Sequence, residues 1–161
     1  MWFLLSDTFS REKRTQIMSS IHSTKTSLEN LVSSYLWKKG LRFRRNDKTL
    51  YGKPDISVKK YRLVIFIDSC FWHGCPDHCR MPHSNTDYWK RKISRNSQRD
   101  VQVTLYYEQR DWRILRVWEH DLVKDLLHTL ERIETFFLKA KQESQSILEW
   151  KNIIAFDSKM Q

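Results

Sequence analysis

Glycine and proline are scarce, with three of each in 161 residues. That excludes collagen-like and low-complexity classes, and with 40% apolar residues it argues against wholesale disorder. Long apolar runs are missing too. The longest in the middle of the chain, Leu63 to Ile67, falls far short of the roughly 20 residues a membrane span needs. Met1 to Leu5 is apolar but too short for a signal peptide, and no basic segment precedes it. Cysteine is sparse and odd in number: Cys70, Cys75 and Cys79. An odd count without a secretion signal argues against a disulfide framework and for metal binding. Acid is in deficit, 19 Asp and Glu against 29 Lys and Arg. These features predict a soluble, cytoplasmic-type protein of one domain, long enough to bury a core unaided.

What is present is positive charge, unevenly placed. The first 120 residues hold 23 Lys and Arg against 12 acids, and the remainder holds six against seven. Residues 38–62 alone carry ten basic side chains. Such a field favours a polyanion, most simply nucleic acid, although a solubilising surface would read alike. Seven tryptophans, several beside polar residues, favour the nucleic-acid reading.

Residues 10–24 are polar and basic and read as an arm or short helix. From Ser27 the apolar positions Leu28, Leu31, Val32, Tyr35 and Leu36 form the stripe of an amphipathic helix, capped by Ser27 or Thr26 and ended by Gly40. Arg42 to Arg45 reads as a short strand. Ile56 to Val58 and Tyr61 to Ile67 read as a hairpin around Lys59 and Lys60. A loop from Asp68 to Ser84 precedes a basic helix over about 87–108, started by Asn85 or Thr86, and then a strand from Trp112 to Trp118. A last helix from Asp121 carries Leu122, Leu126, Leu130, Ile133 and Phe137, widened by Val123 and Leu127. Beyond Gln142 the pattern weakens. This order predicts a small α/β domain with a mixed sheet, divided as an arm (1–24), a domain (25–142) and a tail (143–161).

Two constellations carry chemistry. The segment CFWHGCPDHC (70–79) puts three thiols in one tight loop, too polar to be core. Tetrahedral zinc takes four Cys or His ligands, so Cys70, Cys75 and Cys79 need a fourth, His120 or alternatively His78. With no position left open, such a zinc is structural. The second constellation is Asp55 and Asp68 at the ends of consecutive strands, with Glu29 able to reach them from the first helix. Paired carboxylates suit magnesium and phosphodiester hydrolysis. The spacing follows the P-D…(D/E)-x-K outline of restriction-endonuclease-like nucleases. Ser69 and Cys70 stand where x-Lys belongs, leaving His73 as the nearest substitute base.

In fixed order stand GKPDI (52–56), YRLVIFID (61–68), CFWHGCPDHC (70–79), SNTDYW (84–89), KISRNSQRD (92–100) and RDWRILRVWEHDL (110–122). Together they resemble the very short patch repair (Vsr) DNA mismatch endonucleases, from about Arg11 to Leu122. The resemblance implies a restriction-endonuclease-like fold, a mixed sheet flanked by helices, with a structural Zn²⁺. It implies a monomeric, Mg²⁺-dependent nickase of double-stranded DNA bearing a T·G mismatch left by 5-methylcytosine deamination. The cut falls 5′ to the mispaired thymine. Mismatch-repair proteins would be partners, and the setting bacterial, cytoplasmic and nucleoid-associated.

By the same resemblance, Asp55 and the backbone carbonyl of Ile67 contact the magnesium, and His73 is the general base. Glu29 and Asp100 are further acids of the site. Asp68 falls where members carry His or Asp. Phe71, Trp72 and Trp89 match aromatics that wedge beside the mismatch, where the weak pair lowers the unstacking cost. Basic residues of the arm, Arg14 and Lys25 among them, would lie against phosphates. Ser69 departs from the usual Gly, and a positive φ there would be strained. Two other readings explain part of the pattern: a restriction-type enzyme cutting both strands, and a non-catalytic zinc-stabilised DNA-binding module.

Overall fold

A computed structural model describes residues 27–157, with side chains to 148. The arm, with Arg14 and Lys25, lies outside the described residues. Helix α1 is Ser27–Lys38, β1 Arg44–Arg45, β2 Ile56–Val58 and β3 Leu63–Asp68. They are followed by α2 (Thr86–Glu108), β4 (Arg113–Trp118), α3 (Glu119–Lys124) and α4 (Leu126–Asp157). The sheet order is β1-β2-β3-β4. The first two pairings are antiparallel, and β3 and β4 are parallel, joined through α2. This is the expected mixed sheet between helices.

Strand β3 is covered on both faces. Its alternation sends Leu63 and Ile65 into one core with Val32, Leu36, Ile133 and Phe137, under α1 and α4. It sends Val64 and Phe66 into a second core with Val103 and Tyr107 of α2. Asp68 follows Val64 and Phe66 in that alternation and therefore belongs to the α2 face.

Helix ends follow local chemistry. Gly40, at φ +77°, closes α1 with Gly40 N–H donating to the Trp37 carbonyl and Leu41 N–H to that of Leu36, the paired bonds of a Schellman ending. Asn85 precedes α2 but makes no side-chain cap, whereas Asp125 breaks the C-terminal helix in two and its Oδ1 accepts the His128 N–H at 3.2 Å. Past Gln142, α4 simply continues to Asp157, and Arg113 holds Glu143 in an ion pair.

Two apolar stripes sit differently from their sequence reading. The buried positions of α1 are Glu29, Val32, Ser33 and Leu36, so the helix is rolled to bury an acid while Leu31 stays partly exposed. On the last helices Leu122, Leu130, Ile133, Phe137 and Ala140 are buried, but Val123 and Leu127 face outward at 68% and 66% exposure. The break at Asp125 resets the helical phase between them. We expect Phe137→Ala to cost about 3–5 kcal/mol of stability and Leu127→Ala no more than about 0.5, by denaturant unfolding.

Candidate functional site

The site is built where β2 and β3 begin and end. Asp55 stands one residue ahead of β2, and its Oδ2 accepts the Ile67 N–H at 2.7 Å. That bond fixes the carboxylate against β3 at the position next to Asp68. Burial pushes the Asp55 pKa up to about 7; the Ile67 N–H opposes the rise, while the nearby charges of Glu29 and Asp68 add to it. Glu29 is buried on α1, and Asn46 donates to its Oε2 at 3.3 Å. The three expected acids of this group thus share one neighbourhood.

The acid expected from α2 is there too. Asp100 precedes Val103 and Tyr107 on the helix face that packs on the sheet. Its Oδ2 lies 2.6 Å from His73 Nδ1. Burial alone would raise the Asp100 pKa, but the His73 bond and the charges of His73 and Arg116 hold it below the carboxylate norm. An ionised Asp100 fixes Nδ1 as the protonated nitrogen, leaving the lone pair on Nε2 to accept a proton.

Sequence reasoning missed Arg116. Its Nε and Nη2 donate to Oδ2 and Oδ1 of Asp68, each at 2.7 Å, and Nη2 also lies 3.0 Å from Asp100 Oδ1. The signal was an arginine in the middle of the strand RILRVW, between the apolar residues Leu115 and Val117. Glu119 was missed as well. Its Oε2 accepts Ser69 Oγ at 3.1 Å and Cys70 N–H at 3.2 Å, clamping the start of the loop to the end of β4. Ser69 takes no positive φ, so the strain that replacing Gly threatened does not arise.

The loop carrying His73 is pinned to α2 by Asn96, which donates to the Trp72 carbonyl at 2.9 Å, and Ser97, which donates to the His73 carbonyl at 3.1 Å. Gly74, at φ +64°, permits the approach, since a Cβ there would sit 2.8 Å from Ile93. Phe71, Trp72 and Trp89 pack edge-on or tilted with ring centroids 5.0–5.8 Å apart, all partly exposed. Lys92 lies 5.0 Å from the Trp72 ring. A cationic rim around an exposed aromatic stack suits stacking on bases beside phosphates.

The sulfur cluster forms differently from the expected set. Donor atoms of Cys70, Cys75, His78 and His120 lie within 4.8 Å of one another. Both candidate histidines join, and Cys79 stands outside. The reason is local: Cys79 N–H bonds to the Cys75 carbonyl in a helical turn, which brings His78 Nδ1 to 3.6 Å from Cys75 Sγ. Cys79 Sγ turns instead to the Phe71 carbonyl at 3.7 Å. Two thiols and two imidazoles at this separation fit a tetrahedral metal ion. Burial pushes the Cys70 thiol up to about 11, the state that a metal would reverse by binding the thiolate.

The arrangement sets hard oxygen donors beside a carboxylate-braced imidazole, with a separate cluster of soft donors along the same loop. A family model described as DNA mismatch endonuclease Vsr matches residues 6–80. The Type II nicking enzyme V.NmeAIP of Neisseria meningitidis is 42% identical over 120 residues, covering 73% of this chain and 85% of that one. The Type II nicking enzyme V.HpaIIP of Haemophilus parainfluenzae is 40% identical over 122 residues, 74% of this chain and 86% of that one. The DNA mismatch endonuclease Vsr of Escherichia coli is 36% identical over 118 residues, 71% of this chain and 74% of that one. The chain belongs to the Vsr family of DNA mismatch endonucleases.

Asp55 gives a pH-dependent prediction. Its folded pKa, about 7, lies above the ordinary aspartate value, so the fold favours the protonated form. That contribution is full below about pH 4 and is lost as pH rises through about 7. Without divalent cations, Asp55→Asn should therefore be more stable than the wild type at pH 8, by roughly 2–4 kcal/mol, and equal to it near pH 4. Thermal melts at the two pH values check this.

Proposed function

We propose that this chain nicks one strand of a DNA duplex 5′ to the thymine of a T·G mismatch, leaving a 5′ phosphate and opening a short repair patch. The observation that carries the reading is the convergence of Asp55, Glu29 and the Asp100-braced His73 beside the exposed Phe71–Trp72–Trp89 stack. Acids alone would suit any metal site, and aromatics alone any nucleic-acid module. The two side by side suit cleavage at a distorted step.

Asp55, with the Ile67 carbonyl, would hold a magnesium ion; a buried carboxylate of raised pKa among like charges is a group that a hard cation relieves. Magnesium bound there would supply charge neutralisation at the cleaved phosphate and a coordinated water. His73 Nε2 takes the proton from the attacking water, while Asp100 holds the ring and stabilises the imidazolium formed. Glu29 and Asp68 complete the acidic surroundings. Phe71, Trp72 and Trp89 wedge into the stack, where a mismatched pair yields at lower cost than a matched one. The soft-donor cluster holds zinc and serves the fold. Arg14 and Lys25 are proposed phosphate contacts of the arm.

With Mg²⁺ and labelled duplexes, we expect a single nick 5′ to the mismatched T, none in matched C·G controls, and none with Asp55→Ala. Cutting of both strands in matched DNA would instead establish the restriction-type reading, and tight binding without cleavage the non-catalytic one. Metal analysis of the purified protein should find one zinc per chain. Cys75→Ser should lose it and melt at a lower temperature, while Cys79→Ser should retain it.

A further inference from the structure

Neither the proposed chemistry nor the sequence motifs give Arg116 a task, yet few side chains here are more heavily engaged. A mid-strand position on β4 places it on the α2 face, its guanidinium 5.0 Å from the Phe66 ring. One edge of the guanidinium engages both oxygens of Asp68 in a bidentate pair. Nη2 is shared with Asp100, whose other oxygen meets His73. Nη1 is buried with no hydrogen-bond partner among the described residues. A partly buried cation with one buried, orphaned nitrogen is costly, so it is a poor device for stability alone.

We propose that Arg116 is a positioning residue of the nicking reaction: it engages both oxygens of Asp68 and braces Asp100, so that Asp100 holds His73 in one orientation. The chain of contacts is direct. Asp68 Oδ1 lies 3.5 Å from His73 Nδ1, and Asp100 Oδ2 lies 2.6 Å from the same atom. Two carboxylates therefore compete for one ring nitrogen. Arg116 occupies both oxygens of Asp68, which leaves the imidazole to Asp100. Without Arg116 both acids would face His73 unbalanced, and the ring could be drawn to either. Asp68 thereby acts as the arginine's anion rather than as a group touching the phosphate.

The inference rests on the reading of His73 as the base, and its test has a part independent of that reading. Arg116→Met should slow single-turnover nicking of a T·G duplex about 10- to 100-fold, the usual cost of a misplaced catalytic group. Duplex Kd measured without divalent cations should stay within about twofold, because nothing that binds DNA is removed. Adding Asp68→Asn to Arg116→Met should restore at least about fivefold of the rate, since the competing acid is gone. Arg116→Lys, which keeps the charge without the fork, should fall between.

Independently of activity, the carboxylate-bonded Nδ1–H of His73 should give a far-downfield proton resonance in the wild type. It should be lost or shifted in Arg116→Met and regained in the double variant. Should Arg116→Met fail to fold, the double variant and Arg116→Lys carry the same comparison. An unchanged rate and resonance in Arg116→Met would overturn the proposal. So would an Asp68→Asn variant as inactive as Asp55→Ala, because Asp68 would then touch the reacting groups. If the wild type nicks no T·G duplex, the function reading fails and the resonance alone decides the role of Arg116.

Discussion

Strand β3 is bonded on both edges and buried on both faces, and the site depends on that confinement. Antiparallel pairing with β2 and parallel pairing with β4 leave it no freedom to slide. A slip by one residue would invert every side chain between the two cores. Its last residues therefore arrive at fixed positions. Ile67 offers its N–H to Asp55, Asp68 turns to the α2 face, and Cys70 joins the Cys and His cluster. Three kinds of chemistry leave one strand end within four residues.

The loop that follows has little apolar content of its own, so its shape comes from outside. Glu119 clamps its first residues, the Cys and His cluster closes its middle, and Asn96 and Ser97 hold the carbonyls of Trp72 and His73 from α2. His73 sits between these restraints, one residue from Trp72. Restraints of this kind remove the rotamer freedom that would otherwise blur a single ring orientation. The same restraints hold Phe71 and Trp72 against Trp89 without burying them. Phe71, Trp72 and His73 are therefore placed together by one loop, with Trp89 of α2 packed against its aromatics.

Much of this was legible in sequence because it follows local rules. The hairpin and the first and last helices come from apolar patterning, and Asp55, Asp68 and His73 from motif spacing. What was not legible depends on distant partners. Arg116 reads as an oddity in a strand until Asp68 and Asp100, 48 and 16 positions away by number, are seen around it. Cys79 looked as good a ligand as Cys75, but one helical turn decides which of Cys79 and His78 faces the cluster, and spacing alone does not show that turn. The roll of α1 escaped periodicity for a related reason. Burial of Glu29 is costly locally and is offset by partners distant in sequence such as Asn46, so tertiary context overrode the apolar stripe.

The charge distribution completes the argument. The exterior is basic, with a net charge of +10, yet Asp55, Glu29, Asp68 and Asp100 crowd one end of the sheet. A polyanion drawn in by the outer field would meet repulsion at this spot. Arg116 offsets two of the four acids from within the fold. For Asp55 the relief is of another kind: burial raises its pKa to about 7, so a proton can take up part of the charge. The crowding of carboxylates is thus relieved by the Arg116 ion pairs on the α2 face and by the raised pKa where Asp55 meets β3.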